Sequence, residues 1–437
     1  MVNINYSISK SPKIYVGRIN INGNLKTYDT VIRRELKLAD GDPYNSFLIE
    51  QSEQRLRNLD FFEKAKIETN KTDKPDVVDL AVDITEKSTA SVNFSVGYST
   101  SEGPIGMVGF TEKNLLGQGK KLALNVQKSP SVQSAGFSLT QPNFLQSSID
   151  AGVSLKGSSQ NNTTSSLGAQ SNSTPFTART VAGSVFINYD ITDYLSHSIN
   201  YSISNDTIGN VVAGSAAIIN EQTGKNIVSS VGHNLVYNTT DSRSNPTKGY
   251  IVSLVQTLAG LGGTSNFIKN VLDGSYYYPL SDNITVKFAS SLGNIQSLSK
   301  FVRINENFSL GGYSLRGFDY SGVGPRDKSS NQDALGGKTY YTGTVEAKFP
   351  IPGVPKDVEL SGAIFSDVGS MWDVDIPNTS KYSKANFYND KNLRASVGFG
   401  LVWITKVGPF RIDFARAIKK EKYDQLRPVL FSFASLF

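Results

Sequence analysis

The stretch Ser91–Thr100, SVNFSVGYST, alternates Val92, Phe94, Val96 and Tyr98 with Ser91, Asn93, Ser95 and Gly97. Successive side chains of a strand point to opposite faces, so this segment has one apolar face and one small, polar face. A barrel wall between lipid and a wet interior imposes that pattern. The core and solvent faces of a water-soluble sandwich impose it too, so one strand leaves both open.

The pattern recurs along the chain. Leu122, Leu124 and Val126 repeat it, as do Ile149, Ala151, Val153 and Leu155, then Ile199, Tyr201 and Ile203, then Ile284, Val286 and Phe288. Ser, Asn, Thr, Gly and Lys occupy the intervening positions. About sixteen such segments fill roughly 350 residues, an even number at a spacing that suits an antiparallel membrane barrel. Their starts are expected near 91, 105, 121, 134, 148, 179, 196, 229, 249, 266, 284, 339, 358, 392, 408 and 429. Long Ser/Asn-rich connections, Gly157 to Phe176 and Asp206 to Ile227, alternate with short turns, as expected when one barrel end faces outward and the other the periplasm. Tyr276, Tyr277, Tyr278, Trp372 and Trp403 are candidates for the interfacial girdles. The last segment puts Val429, Phe431, Phe433, Ser435 and Phe437 on one face, with Ser432 and Ala434 on the lumenal side.

Composition narrows the function classes. Only 38% of the 437 residues are apolar, and no run reaches the ~18 apolar residues a spanning helix requires, which excludes a helical membrane protein. Cysteine is absent, removing disulfides, thiolate metal sites and a Cys nucleophile. Two histidines, His197 and His233, lack a second ligand at metal spacing and are expected to be ordinary lumenal or interfacial side chains. Gly336-Gly337-Lys338-Thr339 imitates a phosphate loop, but Gln332 stands where that pattern needs glycine. No nucleophile, base and acid can be assembled, so the expectation is a non-enzyme without cofactor or metal. The net charge of +6 comes from scattered rather than clustered cations, and no nucleic-acid partner is expected.

Ahead of the barrel the period changes. Ile14 to Ile21 reads as a strand ending at Asn22-Gly23-Asn24, followed by a helix capped by Thr27 or Asp29, carrying Val31, Ile32 and Leu36, and broken at Gly41-Asp42-Pro43. A second helix runs from about Ser46 to Leu59, and strands Lys64 to Thr69 and Val77 to Ile84 close a β-α-α-β-β unit. The expected division is 1–10, 11–88 and 89–437. Residues 1–10 show neither a charged region nor an apolar stretch of a signal peptide. They are expected to be the last strand of an upstream domain of a longer chain.

One long connection stands out. Phe308 to Arg326, FSLGGYSLRGFDYSGVGPR, lies midway along a loop of more than ~30 residues, and loops above ~15 residues in a compact domain are usually functional. Leu315-Arg316-Gly317-Phe318 resembles the (V/L)RGF motif of the BamA family, bacterial assembly factors for outer-membrane β-barrels. VGRINING, RREL and QRLRNLDFFEKAKIET resemble that family's barrel-proximal POTRA domain, and Thr240-Asp241-Ser242-Arg243 with Pro246-Thr247-Lys248-Gly249-Tyr250 resembles its (D/N)xR…PTxG turn. Gly408-Pro409-Phe410-Arg411-Ile412-Asp413 is a further match, and a terminal Phe on an alternating strand resembles the carboxy-terminal signal of outer-membrane proteins.

The resemblance implies a mainly β fold, a 16-stranded antiparallel transmembrane β-barrel preceded by one small α+β POTRA domain. It implies a loop folded back into the lumen, its Arg docked on acidic wall residues. Alternation puts Glu346 and Asp367 on inward faces, the latter within Phe365, Asp367 and Gly369, which match F-x-D-x-G, so Arg316, Glu346 and Asp367 are expected to anchor the loop. A lateral seam is expected between the first strand, with Val92, Phe94 and Val96, and the last, with Val429, Phe431, Phe433 and Phe437. The implied role is an insertase in the outer membrane with its POTRA domain in the periplasm. Its implied partners are unfolded client barrels, accessory lipoproteins docking at the POTRA domain, and the lipid bilayer. A two-partner secretion pore or TamA-like pore shares fold and motif, and a plain porin lacks the small domain.

Overall fold

The computed structural model describes residues 13–100, 102–161, 175–243, 245–298, 301–328, 332–377, 383–405 and 408–436. Residues 1–10, expected as an upstream remnant, and Phe437 of the expected seam lie outside the described residues.

The chain divides into two compact units, one of residues 1–91, 110–122 and 139–147, the other of the remainder. In the first, β1 (Tyr15–Asn22) precedes helices α1 (Asp29–Arg33) and α2 (Ser46–Asn58), then β2 (Phe62–Lys71) and β3 (Val77–Glu86). β3 lies between a parallel β1 and an antiparallel β2. Ile49 and Leu56 of α2 join Val16, Ile19, Ile32, Phe62, Leu80 and Val82 in one core. Asn45 caps α2, its carbonyl oxygen accepting from the Phe47 amide at 3.0 Å.

α1 departs from expectation. Its cap position is Tyr28, without a side-chain bond, and it ends at Arg33, well before Gly41. The expected caps are engaged elsewhere: the Thr27 hydroxyl accepts from Asn114 Nδ2 at 2.8 Å, and Asp29 accepts from Asn24 Nδ2 at 2.7 Å. Glu35 and Leu36 then donate to Ile32 and Arg33, the tighter i to i−3 pattern that closes a helix.

The barrel strands are β4 (Ala90–Ser99), β5 (Gly103–Leu115), β6 (Lys120–Lys128), β7 (Val132–Gln141), β8 (Ile149–Asn161), β9 (Thr177–Asp190), β10 (Leu195–Gly209), β11 (Gly224–Asn238), β12 (Gly249–Gly263), β13 (Phe267–Ser281) and β14 (Ile284–Ser297). After the long loop, which carries the short strands β15 (Gly317–Phe318) and β16 (Arg326–Asp327), come β17 (Thr339–Pro350), β18 (Leu360–Trp372), short β19 (Phe387–Tyr388), β20 (Arg394–Thr405), β21 (Gly408–Lys419), short β22 (Leu426–Arg427) and β23 (Val429–Leu436). Sixteen of these close a ring in which each pairs with its sequence neighbour and β23 meets β4. The expected starts agree to within two residues except at β11, which begins at Gly224 rather than near 229. Gly224 and Lys225 do not alternate, yet they pair with Ile208 and Thr207 of β10.

The alternating faces separate as expected. Val92, Phe94, Val153, Ile203, Phe288, Val345, Ile364 and Phe399 are exposed on the outer surface. Tyr276, Tyr278 and Trp403 join them, with Phe410 stacked on Phe433 at 4.1 Å. Tyr277 does not belong to this girdle, because period two turns it inward, where the Lys287 ammonium lies 5.9 Å from its ring centroid.

Candidate functional site

The long loop packs on itself through Leu310, Leu315, Phe318 and Val323, with Met371 of β18. At its centre the chain makes a turn that only glycine fits. Gly317 has φ +89°, and a Cβ there would lie 3.3 Å from Ser396 Cβ and 3.4 Å from Ala415 Cβ, so the backbone runs close against the wall. Gly317 and Phe318 pair with Arg427 and Leu426, and Arg326 and Asp327 pair with Tyr388 and Phe387, so backbone bonds tie the loop to two further connections.

This conformation delivers Arg316 to three wall strands. Its Nε donates to Asp367 Oδ2 at 2.7 Å and its Nη2 to Asp367 Oδ1 at 2.8 Å, a bidentate fork. Its backbone amide also donates to Asp367 Oδ2, at 3.1 Å, and Nη1 donates to Glu346 Oε2 at 2.5 Å. The guanidinium lies over the Phe365 ring, 3.4 Å from the centroid. Arg316 and Asp367 are 5% and 1% exposed, so this is a largely desolvated pair.

Sequence reasoning missed the second half of the cluster. Arg411 of β21 donates through Nη2 to Glu346 Oε2 at 2.7 Å and through Nε to Asp413 Oδ2 at 2.7 Å. Asp413 Oδ1 lies 4.0 Å from Arg316 Nη1. Lys287 is Glu346's register partner across β14 and β17. Two guanidiniums thus bridge three carboxylates on β17, β18 and β21, beside a cavity of about 480 Å³ lined by Asp273, Lys287, Tyr313 and Thr344 as well. Gly400 makes room for it, since a Cβ there would meet Asp413 Oδ1 at 2.2 Å. The available signal was the alternation of Arg411, Asp413 and Ala415 on one face of β21. A further buried cation, Arg394, donates to Asp424 Oδ2 at 3.1 Å and to Asp390 Oδ1 at 2.7 Å.

At the junction of β23 and β4 the described register spans Ser432–Leu436 against Ser99–Ser95, five pairs, whereas β10 and β11 share fourteen. Phe433 faces Tyr98 and Val96 faces Ser435, while the Phe431 carbonyl accepts from the Thr100 amide at 3.0 Å. Val92 and Phe94 lie on β4 beyond these five pairs, and Val429 pairs with Phe414 of β21.

His197 and His233 are not lumenal. They share the outward parity of Ile199, Tyr201 and Val231, in a cross-strand chain where Tyr189 Oη meets His197 Nδ1 at 2.7 Å and His233 Nε2 meets Gln256 Oε1 at 2.9 Å. Among the described residues, no group of three or more His, Cys, Asp or Glu is arranged to hold a metal ion. Lys338, the phosphate-loop decoy, pairs instead with Asp375 and Asp373. In the turn between β11 and β12, Asp241 accepts from the Thr247 hydroxyl at 2.5 Å and from the Thr247 and Lys248 amides. These bonds favour its charged form and lower its pKa to about 2.

A closed ring of sixteen strands with an apolar outer face and a loop clasped in its polar interior defines an outer-membrane-type β-barrel, here following a small α+β domain. Residues 114–436 match the model of the Omp85 superfamily domain, and residues 14–87 match the POTRA model, described as a surface antigen variable number repeat. The chain belongs to the Omp85 superfamily. Its relatives include two proteins named outer membrane protein assembly factor BamA. The one from Neorickettsia risticii is 32% identical over 438 residues, covering 100% of this chain and 57% of the relative. The one from Neisseria meningitidis serogroup B is 25% identical, covering 98% and 57%. The chain thus spans little more than half the length of these curated relatives. Among solved structures, BamA from Haemophilus ducreyi lacking POTRA domains 1–3 superposes with a TM-score of 0.86 at 23% identity, over 97% of this chain and 85% of that one. CdiB from Acinetobacter baumannii shares the fold at a TM-score of 0.59 and 16% identity, over 97% and 74%. The barrel resides in the outer membrane and the POTRA domain in the periplasm.

Proposed function

We propose that this chain is the membrane part of an outer-membrane protein assembly factor, folding and inserting client barrels at a lateral seam between β4 and β23. The observation that carries the reading is that the first and last barrel strands meet through five described pairs, as β23 and β21 also do, whereas β10 and β11 share fourteen. Each backbone group left unpaired in lipid costs several kcal/mol, so an opened edge favours capture of an extended client strand without nucleotide. Val96, Phe431 and Phe433 lie at that junction, and Val92, Phe94 and Val429 lie on the same two strands beyond its described pairs. Arg316, Glu346 and Asp367 hold the loop in the lumen, with Phe365, Arg411 and Asp413 completing the clasp. A desolvated ion cluster is weak support for stability, but it fixes one geometry, which suits a wall that must stay registered while its neighbour parts. The clients are unfolded outer-membrane proteins, and accessory lipoproteins dock at the POTRA domain, whose strand edges offer backbone pairing.

The experiment is reconstitution in lipid vesicles with unfolded barrel clients, scored by heat-modifiable gel migration. Tyr98→Cys with Phe433→Cys links register partners across the seam in a chain that has no native cysteine. Oxidation is expected to stop client folding, and reductant to restore it. Undiminished folding with the seam locked contradicts the reading. Secretion of a single soluble partner, without folding of barrel clients, favours the two-partner or TamA-like alternative.

A further inference from the structure

We infer that Tyr313 pins the last strand to the lumenal loop, so that the seam opens by departure of β4 from a β23 that stays in place. The inference rests on the seam reading above and adds which side moves.

Tyr313 sits in a turn of 3-10 helix, Gly312–Ser314, just ahead of the clasped Arg316. The turn is fixed by its own bonds: the Ser314 hydroxyl donates to the Gly311 carbonyl at 2.8 Å, and the Gly311 amide donates to Ser314 Oγ at 3.2 Å. From there the Tyr313 hydroxyl donates to the Phe431 carbonyl at 2.9 Å. That oxygen is the one that accepts from the Thr100 amide across the seam. Tyr313 is 44% exposed, so filling a core does not explain it.

Two consequences follow from one oxygen with two donors. While the seam is closed, Phe431 is tied both to β4 and to a loop that is itself fixed on β17 and β18. When β4 leaves, the carbonyl keeps the tyrosine hydroxyl and is not stranded in a medium without water. Other contacts hold the same side. Arg427 Nε donates to Asp319 Oδ1 at 2.6 Å, the Asp319 amide donates to the Gln425 carbonyl at 2.9 Å, and the Gln425 amide donates to the Gly322 carbonyl at 3.0 Å. These fix Gln425 and the β22 strand that follows it, and only Pro428 separates β22 from β23.

The test places spin labels on the full chain in lipid nanodiscs, where the absence of native cysteine makes labelling specific. One pair, Met107→Cys with Val429→Cys, spans the seam, and another, Tyr320→Cys with Val429→Cys, spans loop and last strand. The probe is a peptide with the sequence of residues 429–437, VLFSFASLF, offered as an extended strand. With peptide, the seam distance is expected to lengthen while the loop-to-strand distance stays narrow. Tyr313→Phe keeps the ring and removes the hydroxyl, and should broaden the loop-to-strand distribution. The displaced population should rise roughly fivefold, the equilibrium factor of one ordinary hydrogen bond. A loop-to-strand distance that changes together with the seam in the unsubstituted chain overturns the pin and leaves the seam reading intact, as does a Tyr313→Phe variant indistinguishable from it. A seam distance that never responds overturns both.

Discussion

The two sides of this barrel are held by different means. From β9 to β14 the strands are 14 or 15 residues long, and their ladders run to fourteen register pairs. At the junction, β23 has 8 residues and β4 has 10, and five described pairs join them. Charge follows the reverse trend. The clasp of Arg316, Arg411, Glu346, Asp367 and Asp413 lies on β17, β18 and β21, approaching the junction, while the long side carries small contacts such as Thr180 Oγ1 donating to Asp206 Oδ1 at 2.6 Å. Backbone ladders are cooperative and costly to part within lipid. Side chains can hold a wall in register without adding to the bonds that must break when a neighbouring strand leaves. On the proposed reading, a barrel that stays folded yet opens along one line needs the two kinds of attachment in different places.

The largest effect is expected at Arg316. Arg316→Glu puts a fourth carboxylate among three and removes the bidentate partner of Asp367. Losing one member of a buried ion pair costs about 3–5 kcal/mol, and the variant is expected to lose client folding and to unfold earlier on heated gels. Adding Asp367→Arg should restore part of both. Full activity of the single variant separates the clasp from function. Phe365→Leu tests the ring beneath the guanidinium. A desolvated cation–π contact contributes about 2 kcal/mol, so a smaller fall in thermal stability is expected on the same gels.

On the long side, Asp206→Asn keeps an acceptor for Thr180 and should shift stability by about 1 kcal/mol or less, with client folding unchanged. A loss as large as that of Arg316→Glu would erase the distinction between the two sides. The smallest effect belongs to the turn after β11. The Asp241 pKa is held at about 2, below its ordinary 3.8, so its contribution is present above pH 4 and is lost as pH falls through 2. Asp241→Asn should therefore flatten the acid limb of a stability profile and leave neutral pH nearly unchanged.

How much of this was legible depends on how local the cause is. Strand number and most strand starts follow from alternation, because each strand faces two different media along its whole length. Glu346 and Asp367 could be placed inward from their own strands alone. Arg411 and Asp413 carried the same signal on β21, but their partnership with Arg316 spans more than ninety residues and is created by barrel closure. α1 misled because Thr27 and Asp29, good caps by type, bond to side chains outside the helix. β11 began early because pairing with β10, not its own pattern, recruits Gly224 and Lys225. Tyr313 looked like one aromatic among many, and only the path of β23 gives its hydroxyl a carbonyl to meet.

Native-state hydrogen exchange of the full chain in nanodiscs tests the central claim most directly, by comparing amides at the junction with those of β10 and β11. The Thr100 amide, bonded to Phe431 across the seam, is expected to exchange orders of magnitude faster than those of Ile199 to Ile203, through an opening that leaves the long side protected. Equal protection on both sides would contradict it.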